Sequence, residues 1–179
     1  MRVLSLFDGK SSGYTALELA GKKITSYYSS EVDKYAIQVS DAIHPDQIRL
    51  GDITKWRDWG LNWHGIDLIL AGSPCQGFSF AGKQLAFDDP RSKLFFVFVD
   101  ILNHVKALNP DVKFLLENVK MKKEFMQVID EQLGVESILI NSALVSAQNR
   151  QRLYWSNIPI DEPIDKGVIL SDVLSKDVD

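Results

Sequence analysis

The chain has 179 residues, 45% of them hydrophobic and 25% charged, and a formal net charge of −4. No apolar run approaches the ~20 residues that cross a bilayer, so we expect no membrane span. One cysteine cannot form an internal disulfide, and three scattered histidines form no metal cluster. We therefore expect no metal and a reducing cytoplasm. The acidic balance weighs mildly against nucleic-acid binding, because clustered Lys and Arg make phosphate contacts.

Apolar strand-like runs alternate with helix-like stretches along the chain. The predicted strands cover 3–7, 24–29, 47–50, 67–71, 114–116, 137–142 and 152–155. The predicted helices cover 14–20, 33–42, 93–108 and 122–133, with a weak helical signal at 170–174. This alternation predicts an α/β fold with a mostly parallel sheet and helices on both faces. The last two strands are predicted to close one edge as an antiparallel hairpin.

The composition changes from Pro159 onward, where acidic residues and Lys166 surround a second proline, Pro163. Such a stretch is typical of a linker that leaves a domain. The sequence therefore predicts one catalytic domain over 1–159 and a linker over 160–179.

Several residues that can hold a nucleotide cofactor follow the first three predicted strands, where ligands bind in open α/β sheets. The loop 8–13 can let a ligand approach the backbone closely. Glu31 can accept hydrogen bonds from ribose hydroxyls, although a solvated surface acid is an equally good interpretation. Asp52 can accept from an adenine amino group while Ile53 packs on the ring, and Asp52 can also cap a helix over 54–59.

A second group of residues has the chemistry of a reaction centre. Cys75 follows the most buried predicted strand in a Gly-flanked loop, where packing explains little, so a reactive thiol is favoured. Glu117 comes directly after the apolar strand 114–116. Arg150 and Arg152 alternate and therefore share a face. Two such cations are often simply solvated, but beside a thiol they can hold a phosphate or a base carbonyl.

Together these residues lie in six ordered motifs between residues 3 and 159, which resemble those of the C5-cytosine DNA methyltransferases. The motifs are Leu6-Phe7-Asp8-Gly9, Ser30-Glu31-Val32-Asp33, Gly51-Asp52-Ile53, Gly72-Ser73-Pro74-Cys75-Gln76, Glu117-Asn118-Val119 and Gln148-Asn149-Arg150-Gln151-Arg152. The Pro-Cys-Gln and Glu-Asn-Val motifs in this order are highly specific. The first loop is also similar to that of the animal de novo enzymes, and the stretch 78–84 to bacterial and phage restriction-modification enzymes, the origin we favour.

The resemblance implies a Rossmann-like methyltransferase sheet that binds S-adenosylmethionine and releases S-adenosylhomocysteine. The residues it implies for the cofactor are Phe7, Asp8, Gly9, Ser11, Gly13, Glu31, Val32, Asp52, Ile53, Pro74 and Leu94. Lys10 and Ser12 depart from the family pattern in the first loop, which bears on cofactor affinity.

For catalysis, the resemblance implies that Cys75 attacks C6 of a cytosine flipped out of duplex DNA, within a bacterial or phage-infected cell. Glu117 would contact N3 and the exocyclic amine, and Arg150 and Arg152 would fix the loop and the base O2. The stretch 79–89 would close over the flipped base.

The family continues beyond the arginine motif with a target-recognition region and a final motif that completes the cofactor pocket. Neither is in this sequence, so we expect a truncated or split enzyme, weak or inactive alone, whose target recognition comes from a missing C-terminal region or a second chain. Two alternatives stay open: a tRNA cytosine-C5 methyltransferase and a non-catalytic partner subunit.

Overall fold

The computed structural model describes residues 1–74 and 90–174, and these residues form one mixed α/β unit. The strands are β1 (Arg2–Leu6), β2 (Ser26–Ser30), β3 (Ile48–Arg49), β4 (Leu68–Ala71), β5 (Lys113–Val119), β6 (Ile138–Asn141) and β7 (Gln151–Ser156). The α-helices are α1 (Ser12–Leu19), α2 (Lys34–Ile43), α3 (Pro90–Leu108), α4 (Lys123–Leu133) and α5 (Leu170–Val173). Within the described ranges, no helix is long and apolar enough to cross a membrane.

The strands form one seven-stranded sheet in the order β3-β2-β1-β4-β5-β7-β6. The neighbours from β3 to β5 are parallel, whereas β7 runs antiparallel to both β5 and β6. The order reverses between β1 and β4, the kind of position at which open α/β sheets bind ligands. The predicted α/β class and the antiparallel edge are confirmed.

Alternating side chains of the strands pack into two apolar clusters, one on each face of the sheet. Leu4 and Leu6 of β1 point to the main core, which α3 and α4 cover, whereas Val3 points to a smaller cluster beneath α1. Trp155 of β7 is fully buried in the main core. The pleat of a strand therefore assigns the intervening residue Tyr154 to the face that α1 covers only in part.

The structure differs from the predicted boundaries at two places that matter for the site. The helix α1 begins at Ser12, so Gly13 lies in its first turn and not in the preceding loop. A Cβ at Gly13 would lie 2.6 Å from Leu70 Cδ1, so the glycine lets α1 approach the sheet closely. The strand β5 continues to Val119 because β7 pairs with it, and Glu117 therefore lies within β5, opposite Tyr154.

Candidate active site

The carboxyl ends of the parallel strands bring the candidate residues to one edge of the sheet. Leu6 is in register with Ser30 on one side and with Ala71 on the other, and Ala71 is in register with Leu116. The residues that follow them are Phe7, Glu31, Gly72 and Glu117. Residues far apart in the sequence thus form one row, with the cofactor candidates over β1–β3 and the catalytic candidates over β4, β5 and β7.

The loop between β1 and α1 has an unusual backbone. Phe7 and Ser11 adopt φ values of 55° and 60°, the left-handed region that is unfavourable for residues with a side chain. Gly9 has a φ of 60°, which glycine adopts readily. The amide of Gly9 donates to Glu31 Oε2 at 2.7 Å, and the amide of Asp8 donates to the Ser30 carbonyl at 3.1 Å. The end of β2 therefore holds this loop in place.

Glu31 accepts hydrogen bonds from three backbone amides. Its Oε2 accepts from Gly9, and its Oε1 accepts from Val32 at 2.7 Å and from Asp33 at 2.8 Å. Each carboxylate oxygen offers two acceptor positions, so one position on Oε2 is left for an outside donor such as a ribose hydroxyl. The neighbouring Val32 side chain is 71% exposed, which leaves an apolar surface beside the carboxylate.

Asp52 caps the 3-10 helix Ile53–Asp58, as the sequence allowed. Its Oδ1 accepts from the Thr54 amide at 2.8 Å and from the Thr54 hydroxyl at 2.9 Å. These hydrogen bonds, chiefly the one from the amide, lower the pKa of Asp52. The Asp52 side chain is exposed, so its Oδ2 faces outward. Ile53 is only 5% exposed and belongs to the main core, while Leu94 is half-buried against it.

Two other residues predicted for the cofactor have side chains that face the protein interior. The side chain of Asp8 is 1% exposed, and Ser11 is fully buried. Asp8 Oδ1 accepts from Ser5 at 2.5 Å and from Tyr27 at 2.7 Å. Burial, followed by the Asp8 charge, raises the pKa of Tyr27. Asp8 therefore presents mainly its backbone to the outside, and Ser11 is covered altogether.

The catalytic candidates on β5 and β7 lie beside one another. Arg152 Nε is 2.7 Å from Glu117 Oε1, and the two side chains are 19% and 32% exposed. Burial raises the pKa of the neighbouring Tyr154, and the Glu117 charge adds to the effect. Glu117, Tyr154 and the exposed Arg150 line a cavity of about 600 Å³ that extends to Phe7. The structure thus brings Glu117, Arg150 and Arg152 together.

Cys75, together with the rest of 75–89, lies outside the described residues. Pro74 is the last described residue before Cys75. Asn118, to which the sequence motifs assigned no role, fixes the segment that ends at Pro74. Asn118, 2% exposed, donates through Nδ2 to the Ser73 carbonyl at 3.4 Å and to the Ser73 hydroxyl at 3.1 Å. The sequence signal for the contact between Asn118 and Ser73 was a polar amide side chain close behind the apolar run 114–116.

In the part of the chain that the structure describes, no group of three or more His, Cys, Asp and Glu side chains is arranged to hold a metal ion. A parallel sheet with an acid at the end of β2 and another after β3 is an arrangement found in nucleotide-binding α/β proteins. The chain belongs to the C-5 cytosine-specific DNA methylase family, whose model matches residues 1–173.

Curated relatives agree with this family. The chain is 35% identical to the orphan methyltransferase M.Rho11sI of Bacillus phage rho11s, over 98% of its own length and 37% of the relative. It is 34% identical to the type II methyltransferase M.NlaX of Neisseria lactamica, over 97% of its length and 59% of the relative. The chain therefore spans about two fifths to three fifths of these relatives.

Solved structures share the fold at lower identity. A mutant of Spodoptera frugiperda DNMT2 superposes with a TM-score of 0.67 at 22% identity, covering 99% of this chain and 60% of that chain. The Entamoeba histolytica methyltransferase EhMeth gives a TM-score of 0.74 at 15% identity, covering 100% of this chain and 61% of that chain. The predicted methyltransferase fold is thereby confirmed.

Proposed function

We propose that this chain carries the catalytic part of an enzyme that transfers a methyl group from S-adenosylmethionine to C5 of cytosine in DNA. The observation that carries the proposal is the Glu117–Arg152 pair, whose Glu117 lines one cavity with Arg150 and with Gly72 at the end of β4. In the sequence, Cys75 follows Gly72 by three residues. The family, described as C-5 cytosine-specific DNA methylases, supports DNA as the substrate.

The edge over β1–β3 has groups that suit the cofactor. Glu31 has one acceptor position left for a ribose hydroxyl, and Asp52 turns an exposed oxygen outward for an adenine amine. The exposed Val32 offers an apolar surface for the adenine ring, and the half-buried Leu94 and Pro74 would complete the enclosure. When bound, S-adenosylmethionine supplies an electrophilic methyl group on a sulfonium.

The chain's own residues would activate the cytosine. C5 is a poor nucleophile until the Cys75 thiolate adds to C6, which moves electron density onto C5 and N3. Glu117 would contact N3 and the exocyclic amine, and Arg150 and Arg152 would hold the base O2. C5 then takes the methyl group, a base removes the C5 proton, and the re-formed double bond expels the thiolate.

Covalent trapping tests the proposal. In an enzyme that carries this chain together with a target-recognition region, a duplex that contains 5-fluorocytosine should form a denaturation-resistant adduct in the presence of S-adenosylmethionine, because fluorine cannot leave C5 as a cation. Cys75→Ser should form no adduct. A matched RNA that contains 5-fluorocytosine is the second substrate. An adduct with RNA alone would overturn DNA as substrate, and an undiminished adduct in Cys75→Ser would overturn the mechanism.

Cofactor binding is measured separately by titrating S-adenosylhomocysteine into the protein in a calorimeter. Wild type and Cys75→Ser should bind equally, since the thiol is assigned to the base and not to the cofactor. Absence of binding to both proteins would contradict the assignment of the β1–β3 edge.

A further inference from the structure

Beneath the loop between β1 and α1 lies a set of buried polar side chains that we call the Asp8 network. Its members come from β1, the loop, β2, α2, the turn after α2, and β3. They are Ser5, Asp8, Ser11, Tyr27, Ser40, Gln47 and Arg49. Ser11 and Ser40 are fully buried, and the Asp8 side chain is 1% exposed. A carboxylate so far from water needs donors, and this network supplies them.

The hydrogen bonds of the network run in one direction. The guanidinium of Arg49 has only donors, and it donates to Ser40 Oγ at 2.7 Å. Ser40 Oγ contacts Ser11 Oγ, and Ser11 Oγ lies 2.5 Å from Asp8 Oδ2. Since a hydroxyl has one proton and a carboxylate only accepts, the donors must point from Arg49 through Ser40 and Ser11 to Asp8.

A competing acceptor does not reverse this order. Gln47 Oε1 lies 2.8 Å from Ser11 Oγ, but the ionised Asp8 is the stronger acceptor for the single Ser11 proton. Gln47 Nε2 donates to Ser40 Oγ at 2.5 Å and so supports the same direction. The guanidinium also approaches Asp8 Oδ2 to 3.9 Å, which adds a direct electrostatic attraction.

The network acts on the loop that carries the cofactor candidates. Phe7 and Ser11 have left-handed backbones, which persist only where the surroundings fix them. Asp8 and Ser11 are the side chains through which the network holds this loop, and the Gly9 amide between them donates to Glu31. Arg49 itself lies three residues before Asp52. The guanidinium of Arg49 in β3 thus contacts Ser29 of β2 and lies near Asp8, which follows β1.

We propose that Arg49 is a positioning residue that sets the affinity for the cofactor by holding the β1–α1 loop through Ser40, Ser11 and Asp8. The inference rests on the proposed function, since it assumes that the β1–β3 edge binds S-adenosylmethionine. Arg49 also pairs with Asp41 at 2.7 Å on the surface. That outer contact is separable from the inner one, because Asp41 is half-exposed and does not touch the loop.

The test compares three variants by titration with S-adenosylhomocysteine. Arg49→Met should raise Kd about tenfold or more, the usual effect of losing a charged hydrogen bond. Arg49→Lys should recover part of the affinity because it keeps the positive charge. Asp41→Asn removes the outer charge but keeps the Oδ1 that accepts from Arg49, so the guanidinium stays oriented toward Ser40 and Kd should be unchanged. Arg57→Met is a second control, since Arg57 pairs with Asp100 away from this edge.

A positioning role also predicts which kinetic constant changes. In Arg49→Met the KM for S-adenosylmethionine should rise while kcat at saturating cofactor stays near the wild-type value. A smaller folded fraction would instead lower the apparent kcat and leave KM unchanged. If Arg49→Met does not fold, Ser40→Ala interrupts the same chain of donors with both charges in place, and the same rise in Kd is expected.

The outcomes separate the two proposals. If wild type binds S-adenosylhomocysteine and both Arg49→Met and Ser40→Ala bind it equally well, the positioning role is overturned and the proposed function stands. A wild-type protein that does not bind it contradicts the proposed cofactor site itself.

Discussion

The two halves of the sheet edge are built in different ways. Over β1–β3, the carboxylates of Asp8 and Glu31 are held by backbone amides and buried hydroxyls, so the geometry exists before any ligand arrives. Over β5 and β7, Glu117 and Arg152 are paired but remain partly open to a cavity, beside the exposed Arg150. The difference teaches that the half proposed for the cofactor, over β1–β3, is preorganised. The half proposed for catalysis, over β5 and β7, is the open half, whose charges stay available for a substrate.

The largest expected effect is on the open half. Glu117→Gln keeps the shape of the side chain but removes the negative charge that faces Arg152. We expect methyl transfer to fall about 10²–10³-fold, the usual range for removing one group that stabilises developing charge. Affinity for S-adenosylhomocysteine should be unchanged, which tritium transfer and calorimetry measure on the same sample. If Glu117→Gln lost methyl transfer and affinity for S-adenosylhomocysteine by the same factor, the two halves of the sheet edge would not have separate roles.

A smaller effect is expected from Glu31→Ala on the preorganised half. The change removes a ribose acceptor and also frees the amides of Gly9, Val32 and Asp33. We expect binding of S-adenosylhomocysteine to weaken by about 1–3 kcal/mol, the cost of unpaired polar groups. Glu136→Ala, which changes an exposed acid in the loop between α4 and β6, is the control. Unchanged affinity in Glu31→Ala would move the ribose elsewhere.

Substitution of Asn118 tests whether its hydrogen bonds to Ser73 hold the open half in place. Asn118→Ala removes the donor to Ser73 and leaves that buried segment without its partner. We expect a loss of about 1–2 kcal/mol in the free energy of unfolding, measured by urea denaturation, together with reduced methyl transfer. Asn62→Ala, an exposed asparagine, should leave the free energy of unfolding unchanged. A silent Asn118→Ala would mean that the chain before Cys75 is positioned by other contacts.

The smallest expected effect concerns the cap at Asp52. Because the Thr54 amide lowers the pKa of this carboxyl in the folded protein, its contribution to stability is present above the unfolded pKa of about 4 and is lost as the pH falls through the lower folded value. Asp52→Asn should therefore cost less than about 1 kcal/mol at pH 7, because the site is exposed. The difference in melting temperature between the two proteins should shrink as the pH is lowered from 7 into the range below the unfolded pKa, and a difference that stays constant over the whole titration would contradict the assignment.

The sequence predicted the kind and order of the elements because apolar periodicity is local. The sequence also predicted that Glu31, Asp52 and Glu117 lie at one edge of the sheet, since the carboxyl ends of parallel strands lie side by side. It did not predict that β7 lies between β5 and β6, because an antiparallel pair can join the sheet by either strand. The inward orientation of Asp8 and Ser11 was equally hidden. Their partners Ser40 and Arg49 lie about 30–40 residues away, and no local pattern links them.

The pairing of β7 with β5 also limits which insertions the chain can tolerate. Leu153 and Trp155 are buried in the main core, and Arg152 and Tyr154 occupy the alternate positions. One residue inserted between β6 and Gln148 is absorbed by the turn, whereas one inserted between Arg152 and Leu153 turns the arginine away from Glu117. The same two-residue repeat that fills the core thus fixes the position of a charge proposed for catalysis, and a family alignment should show length changes before Gln148 but not within 150–155.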